Sequence, residues 1–437
     1  MSLRIAIDAR KLADFGIGSY LRGLLAGLAA LEDDSRYLLL APPAAAELLP
    51  DLPARFEWID ERAPHYSAAE LVAISRQARR LGADLLHCPH YVVPFGPPCP
   101  VVVTIHDAIH LTHPETLPRP RALAFAYAKL MLARAARVAA RVIAVSAAAA
   151  DELGAELRIA PGKLVVVPNG VDARFGPERP APPTSALADT ATLILPASET
   201  KKPVEGAVRQ PSLPSRVEAV DGARDGGSPA AERGPGGGAP EPRSGPLLFV
   251  GNPKPHKNLH RLLEAYSRLV RARPAAAVPP LVLAGGGREP RDEAALRARV
   301  RALGLEQRVR FAGFVSDALL ADLYREASML VFPTLAEGFG LPIVEAMACG
   351  TPVVVSDLPV HREIAGEAGE PVDPRDPDSI AAGIARLLDD PQLAERRRSA
   401  GLLLAARFSW RTTARRTRAV YDAVLADDGR WRSRVGR

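Results

Sequence analysis

Two glutamates, Glu337 and Glu345, bracket a Gly-Phe-Gly turn in the run FPTLAEGFGLPIVEAMACGTP at residues 332–352. The residues before them, Met329–Phe332, are apolar and read as a buried strand. Those after the turn read as a helix, with Pro342 in its first turn and Gly350 at its end. A glycine turn opening a helix offers free backbone N–H groups and the positive end of a macrodipole, about half an elementary charge. That is the chemistry of a phosphate or diphosphate site, and Gly338, Phe339, Gly340 and Leu341 are the residues that would line it. Glu345, about one turn into the helix, is placed to accept hydrogen bonds from neutral hydroxyls beside the anion, such as those of a ribose. Glu337, ahead of the turn, suits sugar hydroxyls or a developing positive charge. The motif predicts a sugar nucleotide as ligand.

The elements that must position these groups alternate short apolar runs with helical patterns, the signature of parallel βαβ construction. The expected strands of the N-terminal half are Arg4–Asp8, Tyr37–Ala41, Leu85–His87, Val101–His106, Arg141–Val145 and Leu164–Val167. Those of the C-terminal half are Leu247–Gly251, Pro280–Ala284, Val309–Gly313, Met329–Phe332 and Pro352–Ser356. Two doubly wound domains follow, with ligands at the C-terminal ends of the strands. A chain of 437 residues has room for both.

Residues 178–246 interrupt the pattern. This stretch holds 12 Pro and 9 Gly and one short apolar run, Leu193–Leu195. It buries too little apolar surface to offset its ordering entropy, and is expected to be a disordered insertion in the interdomain linker. The expected division is an N-terminal domain at 1–177, the insertion at 178–246, a nucleotide-sugar domain at 247–408 and a C-terminal helix at 409–437.

Composition narrows the class. Hydrophobic content of 47% with 24% charged residues is that of a folded protein. No uncharged apolar run reaches the length of a membrane span, and the start, MSLRIAIDAR, reads as a first strand instead of a secretory leader. Three cysteines without a CxxC pair argue against a disulfide framework, so a cytosolic protein is expected. The net charge of +6 includes a predicted helix, Arg119–Arg141, where Arg121, Lys129, Arg134, Arg137 and Arg141 alternate with apolar residues. Such a helix suits peripheral contact with an anionic membrane, here the inner face of the plasma membrane, although a merely solvated face is the commoner use of such charges. Nucleic-acid binding is disfavoured, because no aromatic-basic interleaving appears.

The EGFGLPIVEA segment resembles the signature of the family 4 retaining glycosyltransferases, which have a GT-B fold of two Rossmann-like domains facing a cleft. VTIHD (103–107), VIAVS (142–146), VPNGVD (167–172), FVGNPKPHKN (249–258), LAGGG (283–287), FAGFVSD (311–317) and FSW (408–410) match in the expected order. The likeness covers nearly the whole chain outside the insertion. GNPKPHKN and the early IDAR…GIGSY are most similar to bacterial mannosyltransferases of cell-surface polysaccharide or O-antigen synthesis.

The resemblance implies further roles. The first domain would be the acceptor side, and the C-terminal helix would cross back to it. Lys257 matches the family's phosphate-binding lysine, whose ammonium would neutralise a departing diphosphate. Where many members carry an arginine this chain has Asn252, leaving Lys254 or Arg288 to supply the second cation. Gly16 and Gly18 would let the first loop approach the donor diphosphate; a dinucleotide fingerprint would need a third glycine, and position 21 is Leu. His106, at a strand end beside Asp107, would contact the sugar. Phe314, in the segment that lies beside the nucleobase, would border the base. His87, Cys88, His90, His110 and His113 lack a second ligand pair at zinc spacing, and no metal or other cofactor is expected.

The expected activity is therefore hexosyl transfer with retention, from GDP-mannose or a UDP-sugar to a glycan or polyprenyl-diphosphate-linked acceptor. Front-face attack, with the leaving phosphate taking the acceptor's proton, needs no protein nucleophile. A sugar-nucleotide epimerase or phosphorylase of the same fold is the alternative, and a non-catalytic partner subunit a third reading.

Overall fold

The computed structural model describes residues 2–14, 16–117, 120–178, 244–286 and 290–427. Residues 179–243 of the expected insertion and Arg288 lie outside them. The first sheet contains β1 (Arg4–Asp8), β2 (Arg36–Ala41), β3 (Phe56–Asp60), β4 (Leu85–Cys88), β5 (Val101–Ile105), β6 (Arg141–Ala144) and β7 (Leu164–Val166), in the order β3-β2-β1-β4-β5-β6-β7. The second contains β8 (Leu247–Val250), β9 (Leu281–Ala284), β10 (Val309–Gly313), β11 (Met329–Phe332), β12 (Val353–Ser356) and β13 (Gly369–Val372), in the order β10-β9-β8-β11-β12-β13. All pairings are parallel. The central strands are buried on both faces, as their unbroken Val, Ile and Leu runs demand. This is the GT-B architecture of two Rossmann-like sheets.

Every expected strand forms to within a residue at each end, and two more appear. β3 and β13 are edge strands. β3 carries Glu57 and Asp60, and β13 is Gly-Glu-Pro-Val, where proline is tolerated because one side of an edge needs no partner. Neither has the apolar run that betrays a central strand.

One expected element needs correction. The basic helix spans Arg121–Val138 and ends short of Arg141, which begins β6 and pairs with Asp427 at 3.0 Å, while Arg119 lies outside the described residues. Adding Arg141 to the helix face overstated its charge.

The helix Trp410–Ala426 packs along the first helix, Ile17–Ala29, and returns the chain to the N-terminal sheet. Tyr421 hydroxyl lies 2.6 Å from His87 Nδ1, and His87 Nε2 lies 2.9 Å from Thr104 Oγ1, which is 2.9 Å from Tyr20 hydroxyl. Trp410 fits only because position 23 has no side chain: a Cβ there would fall 2.0 Å from the indole. Gly23→Ala is therefore expected to destabilise the protein by about 1–3 kcal/mol through overpacking, read as a lower urea midpoint at unchanged slope. An unchanged midpoint would mean that the indole seat yields easily.

Candidate active site

In each sheet the strand order reverses direction once, between β1 and β4 and between β8 and β11. Loops leaving such neighbouring strands diverge, and the crevice between them is where open α/β sheets bind ligands.

At the second crevice, Lys257 leaves the loop after β8 and Glu337 the loop after β11. Their side chains meet at Nζ–Oε1 2.5 Å across 80 residues of sequence, and each is mostly buried. Three hydrogen bonds tie these loops to each other and to the chain after β13. Leu335 N–H donates to His256 O at 2.7 Å, and Asn258 Nδ2 donates to Pro333 O at 2.8 Å and Pro374 O at 2.6 Å. Asn258 adopts a left-handed conformation (φ 60°), which asparagine tolerates better than most residues, and this lets the turn pass into the helix Leu259–Ala272. Burial pushes the Glu337 carboxyl up in pKa, and the Lys257 ammonium partly offsets that shift.

The Gly338–Gly340 turn then opens the helix Leu341–Ala348, with Gly340 capping it at φ 92° and Pro342 in its first turn. Position 338 has no room for a side chain, since a Cβ would fall 1.8 Å from His106 O. The turn thus lies directly against the N-terminal domain, and Ser146 Oγ donates to Gly338 O at 2.7 Å. Phe339 is buried edge-on to Phe408 at 5.6 Å, so only its backbone faces the crevice, and Leu341 is half-buried. Glu345 Oε2 accepts a hydrogen bond from Tyr324 hydroxyl at 2.9 Å, and burial raises its pKa to about 7.

His106 comes from the other domain. Its Nε2 lies 3.1 Å from Pro89 O, and its ring stands edge-on to Tyr20 at 4.8 Å. A carbonyl can only accept, so Nε2 carries the proton and Nδ1 is left as an acceptor. Burial lowers the His106 pKa, which favours this neutral form.

The remaining expected residues are more scattered. Asn252 is half-buried with Oδ1 lacking a protein partner, and Lys254 is exposed near His110 and His256. Phe314 is 75% exposed beside Gly286. Gly16 begins the first helix facing open space, whereas Gly18 is packed against Leu12 O, so its lack of a side chain serves the loop's own fold. Among the described residues no three His, Cys, Asp or Glu side chains group to hold a metal ion. All three cysteines are buried and none forms a disulfide.

Three site residues escaped sequence reasoning. Ser146 stands before an alanine run as a helix N-cap, with Ala149 N–H on its Oγ at 2.9 Å, and a serine ahead of such a run is a recognisable signal. Tyr324, beneath Glu345, looks like an ordinary core aromatic. Glu363 accepts from Ala147 and Ala148 N–H across the domain boundary at 2.8 and 2.9 Å, and nothing in its local sequence marks it.

The arrangement offers an anion site at a helix start, a cation, a carboxylate paired with that cation, and a neutral imidazole from the facing domain. Two family models match the chain, Glycosyltransferase Family 4 over residues 16–175 and Glycosyl transferases group 1 over residues 241–402. The O-antigen chain mannosyltransferase B of Escherichia coli is 38% identical over 180 residues, 40% of this chain and 45% of that protein. The D-inositol 3-phosphate glycosyltransferase of Streptomyces griseus is 37% identical over 189 residues, 42% of this chain and 40% of that protein. The chain thus spans less than half the length of these curated relatives. The crystal structure of Anabaena Alr3699/HepE in complex with UDP and glucose matches with a TM-score of 0.67 at 19% identity, over 96% of this chain and 100% of that one. At that identity the likeness speaks for the fold.

Proposed function

Because the chain belongs to the group 1 glycosyltransferases, with a family 4 N-terminal domain, we propose that it transfers a hexose with retention of configuration. The proposed donor is GDP-mannose, with a UDP-sugar as the alternative, and the acceptor a glycan or polyprenyl-diphosphate-linked sugar. One observation carries this reading: Lys257, Glu337 and the start of the helix Leu341–Ala348 converge against His106 of the facing domain. The name of the Escherichia coli relative supports mannose, while an inositol-phosphate relative of nearly equal identity leaves the acceptor unchosen.

In this reading Lys257 and the N–H groups of residues 338–340 take up charge on the departing diphosphate. Glu345 holds the ribose, His106 Nδ1 accepts a sugar hydroxyl, and Glu337 faces the sugar as it gains oxocarbenium character. The C1–phosphate bond breaks, a C1–O bond forms to the acceptor, and the acceptor's proton passes to the leaving phosphate. Asn252, Lys254, Phe314 and the Gly16 loop complete the donor's surroundings. A screen of GDP- and UDP-sugars by mass spectrometry tests the proposal: hexose transfer or hydrolysis is expected from one donor class, and no turnover of any would reject it. An epimerase would instead return isomerised donor.

The Glu345 carboxyl gives this reading a pH signature. Its raised pKa means that the unliganded site is protonated below about 7. If ribose hydroxyls donate to the ionised carboxylate, GDP or UDP affinity rises with pH up to about 7. It should fall by up to tenfold per unit below that. Titration calorimetry on Glu345→Gln should leave only the phosphate's own titration. A wild-type slope in that variant would remove Glu345 from the site.

We also propose peripheral contact with an anionic membrane through the helix Arg121–Val138. Leu123 (71% exposed) and Leu130 (63%) project from it beside exposed Arg121, Lys129 and Arg137, and it has no acidic residue. Among the described residues no helix is long and apolar enough to cross a membrane. Sedimentation with phosphatidylglycerol vesicles should be lost in Leu123→Asp/Leu130→Asp; equal sedimentation with neutral vesicles, or of that variant, would refute the contact.

A further inference from the structure

The VIAVS segment ends on Ser146, a residue that the donor site does not yet use. Ser146 caps the helix Ala147–Leu157 of the N-terminal domain, where its Oγ accepts from Ala149 N–H at 2.9 Å. The same hydroxyl crosses the crevice and donates to Gly338 O at 2.7 Å. Its proton and a lone pair are thus both engaged, and the residue is fully buried.

The carbonyl it meets belongs to the turn that opens the helix Leu341–Ala348. In a trans peptide the C=O and the following N–H point in opposite directions. With its oxygen directed at Ser146, the 338–339 peptide therefore turns Phe339 N–H away from the N-terminal domain. Among the described residues nothing accepts from the N–H groups of Phe339 and Gly340. The backbone freedom of Gly338 would let this peptide turn over. Doing so would aim Phe339 N–H at Ser146 and strip a buried hydroxyl proton of its acceptor, a costly loss. Ser146 thus selects the orientation that leaves Phe339 N–H for an anion.

Ser146 is itself held from the opposite domain. Glu363, on the helix Pro359–Ala365 that follows β12, accepts from Ala147 N–H at 2.8 Å and Ala148 N–H at 2.9 Å. The first three N–H groups of the helix Ala147–Leu157 are then all taken, one by Ser146 and two by Glu363, whose charge suits the positive end of that helix. His106 O leaves room only for glycine at position 338, so the turn and the serine's domain approach as closely as backbones allow.

Resting on the transferase reading, we infer that Ser146 is a positioning residue for the donor's diphosphate, fixing the 338–339 peptide so that Phe339 N–H faces the sugar-bearing phosphate, and that Glu363 holds Ser146 at that peptide. The phosphate follows from chain order. Phe339 stands two residues from Glu337, assigned to the sugar, and six from Glu345, assigned to the ribose. Its N–H therefore belongs at the β-phosphate. The turn supplies the contacts, and the facing domain supplies their orientation.

The test compares GDP and UDP with GMP and UMP by calorimetry on the full-length protein, with melting curves to confirm folding. Ser146→Ala should lower diphosphate affinity by about tenfold and leave monophosphate affinity within about twofold. A hydroxyl that only caps its helix or fastens the domains would, once removed, weaken both ligand classes alike or neither. Glu363→Asp keeps the charge, shortens the reach by one methylene and alters an exposed side chain, so the fold is retained. It should weaken diphosphate binding with the same selectivity, by about threefold, and it decides alone if Ser146→Ala does not fold. Because both residues act through one contact, the double variant should lose no more than Ser146→Ala. Equal losses on mono- and diphosphates, unchanged diphosphate binding in either variant, or additive losses in the double variant would each overturn the inference. Failure of the wild type to bind GDP or UDP would overturn the transferase reading instead, so the two are told apart.

Discussion

Glu337→Gln is expected to lower turnover by about a hundred- to a thousandfold while GDP or UDP binds at least as tightly as to the wild type. The split follows from the ion pair. Oε1 of Glu337 sits 2.5 Å from Lys257 Nζ, so the carboxylate neutralises in advance part of the charge that a diphosphate would meet. Without it, the full ammonium charge faces the ligand and affinity holds or rises. What disappears is the anion beside the sugar, which matters only as positive character develops at C1, and an interaction made only in the transition state appears in kcat. The fold should survive with reduced stability, because the glutamine keeps the shape and its side-chain oxygen can still accept from Lys257, while the buried ammonium loses its counter-charge. Steady-state kinetics, calorimetry and a melting curve together check the claim. Turnover like that of the wild type would remove Glu337 from the reaction, and parallel loss of nucleotide affinity would make it a binding residue only.

Lys257→Met should produce the converse pattern: nucleotide affinity lower by about ten- to a hundredfold, turnover lower still, and a less stable protein. The loss of stability has a defined origin. Both side chains of the pair are mostly buried, and removing the lysine strands Glu337 without its counter-charge, at a cost of about 3 kcal/mol. The pH dependence has a definite sign. Burial already raises the Glu337 pKa, and loss of the ammonium raises it further. An acid whose folded pKa is raised penalises the fold where it must ionise, and the penalty is relieved as pH falls and the acid protonates. The deficit of Lys257→Met should therefore be larger at pH 8 than at pH 5. The double variant Lys257→Met/Glu337→Gln should recover most of the stability and none of the activity. A deficit independent of pH, or one that persists in the double variant, would show that the lysine acts on stability through packing alone.

Much of this site is legible in the amino-acid sequence. The central strands announce themselves as unbroken apolar runs because both faces of a parallel sheet are covered. The Gly-Phe-Gly turn, Pro342 and Gly350 mark a helix start and stop by backbone preference alone, and the helix Leu341–Ala348 forms there. The edge strands β3 and β13 are not legible, because an edge tolerates the charges and proline that make a segment look like a loop. Extending the basic helix to Arg141 fails for a related reason: helical spacing continues formally through Ala139 and Ala140, but β6 takes Arg141 for the ladder beside β5.

What the sequence determined by itself is chemistry that depends on neighbours along the chain: which runs become strands, where a glycine turn opens a helix, and which residue types stand at strand ends. The tertiary structure decided which of those groups touch. Lys257 meets Glu337 because β8 lies beside β11 and not because of any local signal, and 80 residues separate them. The same is true of Gly338 against His106 and Ser146, brought together by strands distant in sequence. Backbone preferences and hydrophobic periods act over a few residues, whereas the order of strands in a sheet is settled by packing among all of them at once.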